Sequence, residues 1–433
     1  MSSDSLAWLF GLEQFGIKLG LENISTLAEA LGRPDQSFTA LHIAGTNGKG
    51  SVSAMLEAAL RAGGHRTGLY TSPHLVDVQE RFVIDGSPVG LEALIAVLDM
   101  LRQVVARLVD SGRLAGLPTF FEASTAAAFE LFQRAGVETA VLEVGLGGRL
   151  DATNVVRPAV CAITSIALDH ERHLGATIAA IAAEKAGILK PDIPVVVGRM
   201  PAAASAVIHE TALAVGAPLL DAVADVEVVQ VGRSAGWDTA RVTMRTPVRD
   251  YGEVALALRG RHQFDNAAVA VRVLETLDAS GVRVSGDAIA RGLSSARWPG
   301  RLELRRVSGG REILFDAAHN PSGASTLARY LQDAATGRLP IVFGAAGDKD
   351  IEGMLKELRP AASLFVATRS SNARAEEPAT ISAIAQRVAP EVPVAVEVDP
   401  LRALDVAWAR SPSIVVAGSI FLLGDVMSSL GGS

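Results

Sequence analysis

"ALHIAGTNGKGSVSAMLEAALRAGG", residues Ala40–Gly64, decides the fold. Leu41–Ala44 is a short apolar run of strand character, and Gly45-Thr46-Asn47-Gly48-Lys49-Gly50-Ser51 follows at once. Beyond it, Val52, Met55, Leu56 and Leu60 recur with helical spacing. A strand that turns through glycines into a helix is the geometry of a phosphate-binding loop. Glycines let backbone N–H groups face an anion, and the helix N-terminus adds the positive end of its dipole. The common pattern, G-x-x-x-x-G-K-[ST], sets the hydroxyl directly after the lysine, whereas here Gly50 separates Lys49 from Ser51. Lys49 would supply a mobile positive charge, and Ser51 a hydroxyl near phosphate or Mg2+. The plain alternative is a βα turn whose glycines serve geometry alone. By itself the stretch points to a nucleotide and leaves the chemistry open.

Outward from this loop, short apolar runs alternate with Ala/Leu-rich helical stretches. Strands are expected at Leu41–Ala44, Gly68–Tyr70, Thr139–Glu143, Val160–Ile166 and Val195–Val197, with helices at Ser51–Ala62, Ser124–Arg134 and Thr177–Ala186 between them. Such β–α alternation predicts mainly parallel sheets covered by helices. From about Pro201 to Gly260 the pieces become shorter and more polar, as in Val226–Val231 and Ala240–Arg245, and an antiparallel patch is expected there. After "SSARWPGRLE" (Ser294–Glu303) a second βα series begins, with strands expected at Ile313–Asp316, Pro340–Gly344, Ser363–Ala367, Val394–Val398 and Ser413–Ala417. The expected fold is α/β: an N-terminal P-loop ATPase-like domain over residues 1–296, with the antiparallel patch, and a C-terminal Rossmann-like domain over residues 297–433.

Composition narrows the function class. At 433 residues, 49% hydrophobic and 20% charged, the chain is an ordinary globular protein of two or three domains. Forty Lys plus Arg against 47 Asp plus Glu give a formal charge of -7, which disfavours a general nucleic-acid or membrane-surface binder. Cys161 is the single cysteine, so no intrachain disulfide forms and a reducing compartment fits. "MSSDSLAWLFGLEQFG" has no basic region, and no segment approaches the roughly 18 apolar residues of a spanning helix. A cytoplasmic protein, with a monomer as its expected state, is the reading.

Other stretches place ionisable residues where strands should end. "TGLYTSPHL" offers Ser72 and His74, either near the nucleotide or as a Ser-Pro turn. "AVLEVGLGGRLDATN" sets Glu143 inside an apolar strand, where a carboxylate needs a metal, a hydrogen bond or an ion pair. "AITSIALDHERHLG" repeats the pattern with Asp169, His170 and His173, although Mg2+ prefers oxygen ligands to histidine. Glu184 and Lys185 in "AAIAAEKAGILKP" read as a solvated helix end. Farther on, "HQFDNAAVAV" puts Asn266 at a helix start, "WPGRLE" puts Arg301 at the domain boundary, and "ILFDAAHNPSG" puts Asp316, His319 and Asn320 between a strand and a helix. Each could serve a nucleotide, or equally a cap or a salt bridge.

Taken in order, "HIAGTNGKGS", "TSPHL", "FFE", "LEVGLGGRLDATN", "LDHERHLG", "EKAGILKP", "HQFDNAA", "WPGRLE", "FDAAHNP" and "GDKD" resemble the folylpolyglutamate synthase and dihydrofolate synthase family, within the Mur ligase superfamily of ATP-dependent amide-forming enzymes. The resemblance runs from about Leu12 to Asp425. It implies ATP bound by Gly48, Lys49, Gly50 and Ser51, with Asn266, Arg301 and Asp316 completing the nucleotide site. It implies Mg2+ held by Ser72, Glu143 and His170, against the histidine argument above, and a carbamylated Lys185. The pterin of dihydropteroate or a reduced folate would lie along Thr119, Phe120, Phe121 and Glu122 and against Leu150, Asp151 and Ala152; aromatic rings suit a flat heterocycle, though Phe120 and Phe121 also suit a core. "DATN" resembles the form in bifunctional members. His319 and Ser419 are the candidates for the incoming L-glutamate; the base for its amine is not identified, and of the two histidines that could serve, His170 and His319, the first would be taken by the metal.

The departures are small. Ala317 stands where the family often has glycine, and "VQERFVIDG" differs modestly from its usual Arg-rich form. Two rivals remain. A Mur-type ligase acting on a UDP-sugar is disfavoured because only about forty residues precede the loop, too few for a usual domain. A nucleotide-driven switch or transport module leaves "TFFE" and the Glu143/His170 pair without a role.

Overall fold

The computed structural model describes residues 2–16, 18–232, 236–334 and 337–431. Two compact units result: Met1–Val229, Thr243–Val254 and Asp265–Ala296 form the first, and Gln230–Val242, Ala255–Phe264 and Arg297–Ser433 the second.

In the first unit the strands are β1 (Thr39–Ala44), β2 (Thr67–Tyr70), β3 (Phe82–Ile84), β4 (Ser87–Pro88), β5 (Thr139–Glu143), β6 (Val160–Ile163), β7 (Val195–Val197) and β8 (Leu219–Asp221). Their order across the sheet is β4-β3-β2-β5-β1-β6-β7-β8. From β2 through β8 every pair is parallel, and β3 and β4 extend the sheet as an antiparallel hairpin. The central strands are near-continuously apolar because helices leave neither face in water. The helix Leu91–Asp110 shows how: it buries Leu94, Val97, Leu98, Leu101, Val104, Val105 and Leu108 at helical spacing. Each such leucine is worth ~1.5–3 kcal/mol of burial. It packs with the helix Phe120–Arg134 into a core that also holds Tyr70, Phe82, Phe129 and Phe132.

Parallel strands end on one edge, so the segments after β1, β2, β5 and β6 gather there. Those four segments contain the glycine-rich loop Gly45–Ser51, Ser72, the "GLGGRLDATN" loop and Asp169–His170.

Pro201–Val215 departs from the expected antiparallel patch. Ala202–Val215 is a helix that buries Ala204, Ile208 and Ala212 and leads to β8, parallel to β7. Its alanines give too little contrast between faces to stand out in the sequence. A separate three-stranded sheet is built from β9 (Glu227–Val231), β10 (Arg241–Arg245) and β11 (Asp250–Ala255), in the order β11-β10-β9.

The second unit contains β12 (Glu303–Val307), β13 (Arg311–Asp316), β14 (Leu339–Phe343), β15 (Ala362–Ala367), β16 (Val394–Val396) and β17 (Ser413–Ala417), ordered β12-β13-β17-β14-β15-β16. All pairs are parallel except β12 with β13. β12 went unforeseen because an edge strand can be polar, and Glu303, Arg305 and Arg306 make it so. Among the described residues no helix is long and apolar enough to cross a membrane.

Candidate active site

The loop after β1 is shaped by two glycines. Gly48 has φ 87°, and a Cβ there would stand 2.5 Å from Asn266 Oδ1; at Gly45, φ 147°, it would stand 2.0 Å from Thr164 Oγ1. At both positions a positive φ strains any other residue, and a side chain there would also have to displace Asn266 or Thr164. The same closeness sets Asn266 beside the loop, although it lies in the second turn of the helix His262–Ala279 and not at its start. Thr46 N–H donates to Ser165 O (2.7 Å), Asn47 N–H to Ser165 Oγ (3.2 Å), and Thr164 Oγ1 to Asn47 O (2.7 Å), so the loop is pinned to the segment after β6. The following helix spans Lys49–Ala62, with Gly48 as its left-handed cap and Gly50 and Ser51 buried in its first turn. Lys49 Nζ donates to Gly45 O (3.1 Å) and Thr46 O (3.4 Å) and lies 4.0 Å from Glu143 Oε1.

Glu143 ends β5 in a buried position, and its Oε2 accepts from Ser72 N–H at 3.3 Å. Ser72 precedes a cis peptide to Pro73. Asp169 and His170 sit in the loop beyond β6, whose last residue is Ile163. His170 adopts φ 51°, an uncommon conformation for a residue with a side chain. Its N–H donates to Asp169 Oδ1 at 2.9 Å, and its Nε2 stands 3.9 Å from the same oxygen.

Lys185 corrects the reading of a solvated helix end: it is buried. Burial foremost, and then the charge of Lys49, push its pKa down to about 7, against the pull of Asp169 and Asp151. Glu184 is the residue that behaves as expected, pairing with Arg149 at 2.9 Å near the surface.

Among the described residues no three His, Cys, Asp or Glu side chains converge as a metal cage. Glu143 and the adjacent Ser72 fit a hard cation, since Mg2+ takes a carboxylate and a hydroxyl and keeps positions for phosphate oxygens and water.

"TFFE" is a helix start. Thr119 caps Phe120–Arg134, its Oγ1 accepting from Glu122 N–H while Glu122 Oε2 accepts from Thr119 N–H (2.7 Å), Thr119 Oγ1 (3.0 Å) and Asn23 Nδ2 (3.4 Å). Their polar groups hold the helix, while Phe120 is buried in the core, the alternative considered for it, and Phe121 is partly covered against the same core. Phe120 stacks on Phe10 with ring centroids 5.9 Å apart, and Phe121 lies 6.0 Å from Tyr70. A Cβ on Gly145 would stand 2.6 Å from the Phe121 ring, so only glycine lets the "GLGG" backbone pass it.

Asp151 is fully enclosed, and burial raises its pKa against the hydrogen bonds that lower it. Its oxygens accept from Thr153 N–H (3.0 Å), Thr153 Oγ1 (2.5 Å) and Leu146 N–H (2.9 Å). Behind Thr153 stands His42 of β1, its Nε2 2.8 Å from Thr153 Oγ1. Because that hydroxyl donates to Asp151, His42 carries its proton on Nε2, and burial holds its pKa at about 3, in the neutral form. Leu150 is partly exposed and Ala152 buried beside Asp151. The sequence reading overlooked His42, although a histidine within an apolar strand is a signal of the same kind as Glu143.

In the second unit Asp316 ends β13, and its carboxylate accepts from Leu302 N–H and Ala318 N–H, both at 3.0 Å. Burial raises its pKa and the Arg301 charge opposes the rise. His319 Nδ1 donates to Ala317 O at 2.9 Å. β17 runs beside β13 with Ala417 opposite Asp316, which brings Ser419, the cap of Ile420–Ser429, to the same edge. Asn320 caps Pro321–Asp333, the structural alternative considered for it.

Residues 43–274 match the Mur ligase middle domain and residues 300–420 the Mur ligase glutamate ligase domain. A dihydrofolate synthase/folylpolyglutamate synthase of Bacillus subtilis (strain 168) is 37% identical over 363 residues, 82% of either chain. A probable bifunctional folylpolyglutamate synthase/dihydropteroate synthase of Haloferax volcanii is 37% identical over 433 residues; the match covers 98% of this chain but 50% of that relative's length. The crystal structure of Mycobacterium tuberculosis folylpolyglutamate synthase complexed with ADP and AMPPCP superposes with a TM-score of 0.90 at 34% identity, covering 100% of each chain.

Proposed function

Since this chain belongs to the folylpolyglutamate synthase and dihydrofolate synthase family of Mur-type ligases, we propose that it joins L-glutamate to the carboxylate of dihydropteroate, or to the γ-carboxylate of a folyl glutamate, with cleavage of ATP. One observation carries the reading: on a single sheet edge, a glycine loop with Lys49 near Glu143 stands beside the segment that carries Gly145, packed on the Phe121 ring, and the buried Asp151. A nucleotide switch needs the first part and not the second.

A carboxylate does not acylate an amine at neutral pH because its oxygen is a poor leaving group. In the proposed reaction a carboxylate oxygen attacks the γ-phosphorus of ATP, the bond to the β-phosphate oxygen breaks, and ADP leaves an acyl phosphate. The glutamate amine then attacks the acyl carbon, phosphate departs, and the amine proton passes to a base. Backbone N–H groups around Gly48–Ser51 hold the phosphates, Asn266 borders the loop, and Lys49 balances the charge that spreads over the transferring group. Phe120, Phe121 and the loop of Leu150, Asp151 and Ala152 hold the pterin, with Thr119 and Glu122 fixing the helix that carries the rings.

Ser72, Glu143 and His170 are the residues proposed to hold Mg2+, which when bound would neutralise phosphate charge. Lys185, with its pKa near neutrality, is proposed to add CO2 as the free amine and lose a proton, becoming an anionic carbamate. Arg301 and Asp316 are proposed to serve the nucleotide, and His319 and Ser419 the glutamate. A cytoplasmic monomer making both dihydrofolate and folylpolyglutamates completes the proposal.

The test measures ADP release with ATP, Mg2+ and glutamate while dihydropteroate, tetrahydrofolate or a UDP-muramyl acceptor is added in turn. Release is expected only with the first two. Turnover that ignores the acceptor, or that requires the UDP compound, overturns the assignment.

A further inference from the structure

We propose that Arg81 is the binding residue for the reacting carboxylate of the pterin substrate. The proposal rests on the function above and deepens it: Arg81 lies in "VQERFVIDG", outside the ten motifs from which that function was read, and no role was given to it there.

Arg81 closes the short turn Val78–Arg81 ahead of β3 and is held by its surroundings. Its carbonyl accepts from Thr71 N–H at 3.2 Å, directly after β2, and so fixes it against the start of the Ser72 segment. The intervening loop is tied by Glu80, whose carboxylate accepts N–H groups from Leu75 (2.7 Å), Val76 (3.0 Å) and Asp77 (2.9 Å).

Arg81 as a residue is 7% exposed. Its Nε donates to His74 Nδ1 at 2.8 Å, which leaves the His74 proton on Nε2 and the imidazole neutral. The guanidinium carbon lies 4.8 Å from the centre of the Phe120 ring. Tyr70, Glu13 and Glu143 are the groups near enough to act on its charge, and among the described residues no carboxylate forms an ion pair with it. Arg272, buried to a similar degree, shows the usual arrangement: it pairs with Glu275 at 2.7 Å and Asp225 at 3.1 Å.

An arginine stays charged inside a protein, and a buried charge without a counter-ion is strongly destabilising. Folds keep such a group where a ligand brings the missing charge. Nε is engaged by His74 and the guanidinium also hydrogen-bonds the Tyr70 hydroxyl, so the Nη donors left over are what an incoming carboxylate meets. The location selects which anion. Phe120, buried under the guanidinium, adjoins Phe121 in the helix start proposed for the pterin, and Glu143, 4.0 Å from Lys49, marks the phosphate side. A carboxylate held by Arg81 therefore lies at the acceptor end, where it can be aimed at the γ-phosphate.

Equilibrium binding of 7,8-dihydropteroate and of its carboxamide analogue to the full chain, with a non-hydrolysable ATP analogue present, tests this. The wild type is expected to favour the acid over the amide by about 10- to 100-fold. Arg81→Met should bind the two alike, Arg81→Lys should keep part of the preference, and both should bind the ATP analogue as the wild type does. A structural role alone would weaken acid and amide together. If Arg81→Met kept the wild-type preference for the acid, the assignment would be wrong; should that variant not fold, Arg81→Gln is read by the same criterion. A wild type that bound neither pterin would overturn the function, and the assignment with it.

Discussion

Lys49→Ala is expected to slow ADP formation by about a thousand-fold or more, with the fold intact. Lys49 is no core residue: its contacts are two carbonyls of its own loop and a carboxylate at 4.0 Å. Alanine continues the helix Lys49–Ala62 without strain. What disappears is the mobile charge at the γ-phosphate, felt more in the transition state than in the ground state because charge is then spread over the transferring oxygens. Single-turnover ADP formation under saturating dihydropteroate is the measurement. A rate within about tenfold of wild type would remove Lys49 from the chemistry and weaken the reading of the loop.

Lys185→Met is expected to lower turnover by about a hundred-fold or more while making bicarbonate-free protein more stable at neutral pH, by about 2–4 kcal/mol. Its pKa falls from 10.5 in the open chain to about 7 in the fold, mainly through burial. Between these values the unfolded chain holds a proton that the folded chain does not, so wild-type stability rises with pH across that window and is lowest below pH 7. The advantage of methionine should accordingly be largest below neutrality and fade toward pH 10.5. Urea unfolding of both proteins across this range gives the answer. Equal slopes with pH would show that the lysine is not buried as described, and undiminished turnover would exclude it from catalysis. A site residue whose removal stabilises the fold is the expected compromise where chemistry requires a buried charge.

The strand, glycine turn and helix around Lys49 were legible because their signal is local and lies within Leu41–Leu60. Glu143 was legible because a carboxylate in an apolar strand demands an explanation. The α/β class followed from alternation, and the family from ten motifs in order. Lys185 was misread because its burial depends on segments distant in the chain, with Gly148 packed against the Lys185 carbonyl. Arg81, quoted within "VQERFVIDG" but given no role, and His42, overlooked altogether, share a related reason. Their meaning lies in partners, His74 with Phe120 and Thr153 with Asp151, that only the folded chain brings together. The helix Ala202–Val215 was lost to its own composition, since alanine on every face hides the buried side.

The central claim is that ATP activates a carboxylate, and the fate of that carboxylate's oxygen tests it most directly. Dihydropteroate carrying heavy oxygen in its carboxylate is turned over with ATP, Mg2+ and glutamate, and the inorganic phosphate is collected for mass analysis. Passage through an acyl phosphate predicts one labelled oxygen in each phosphate released. Phosphate free of label, with ADP formed at the same rate, would contradict the account.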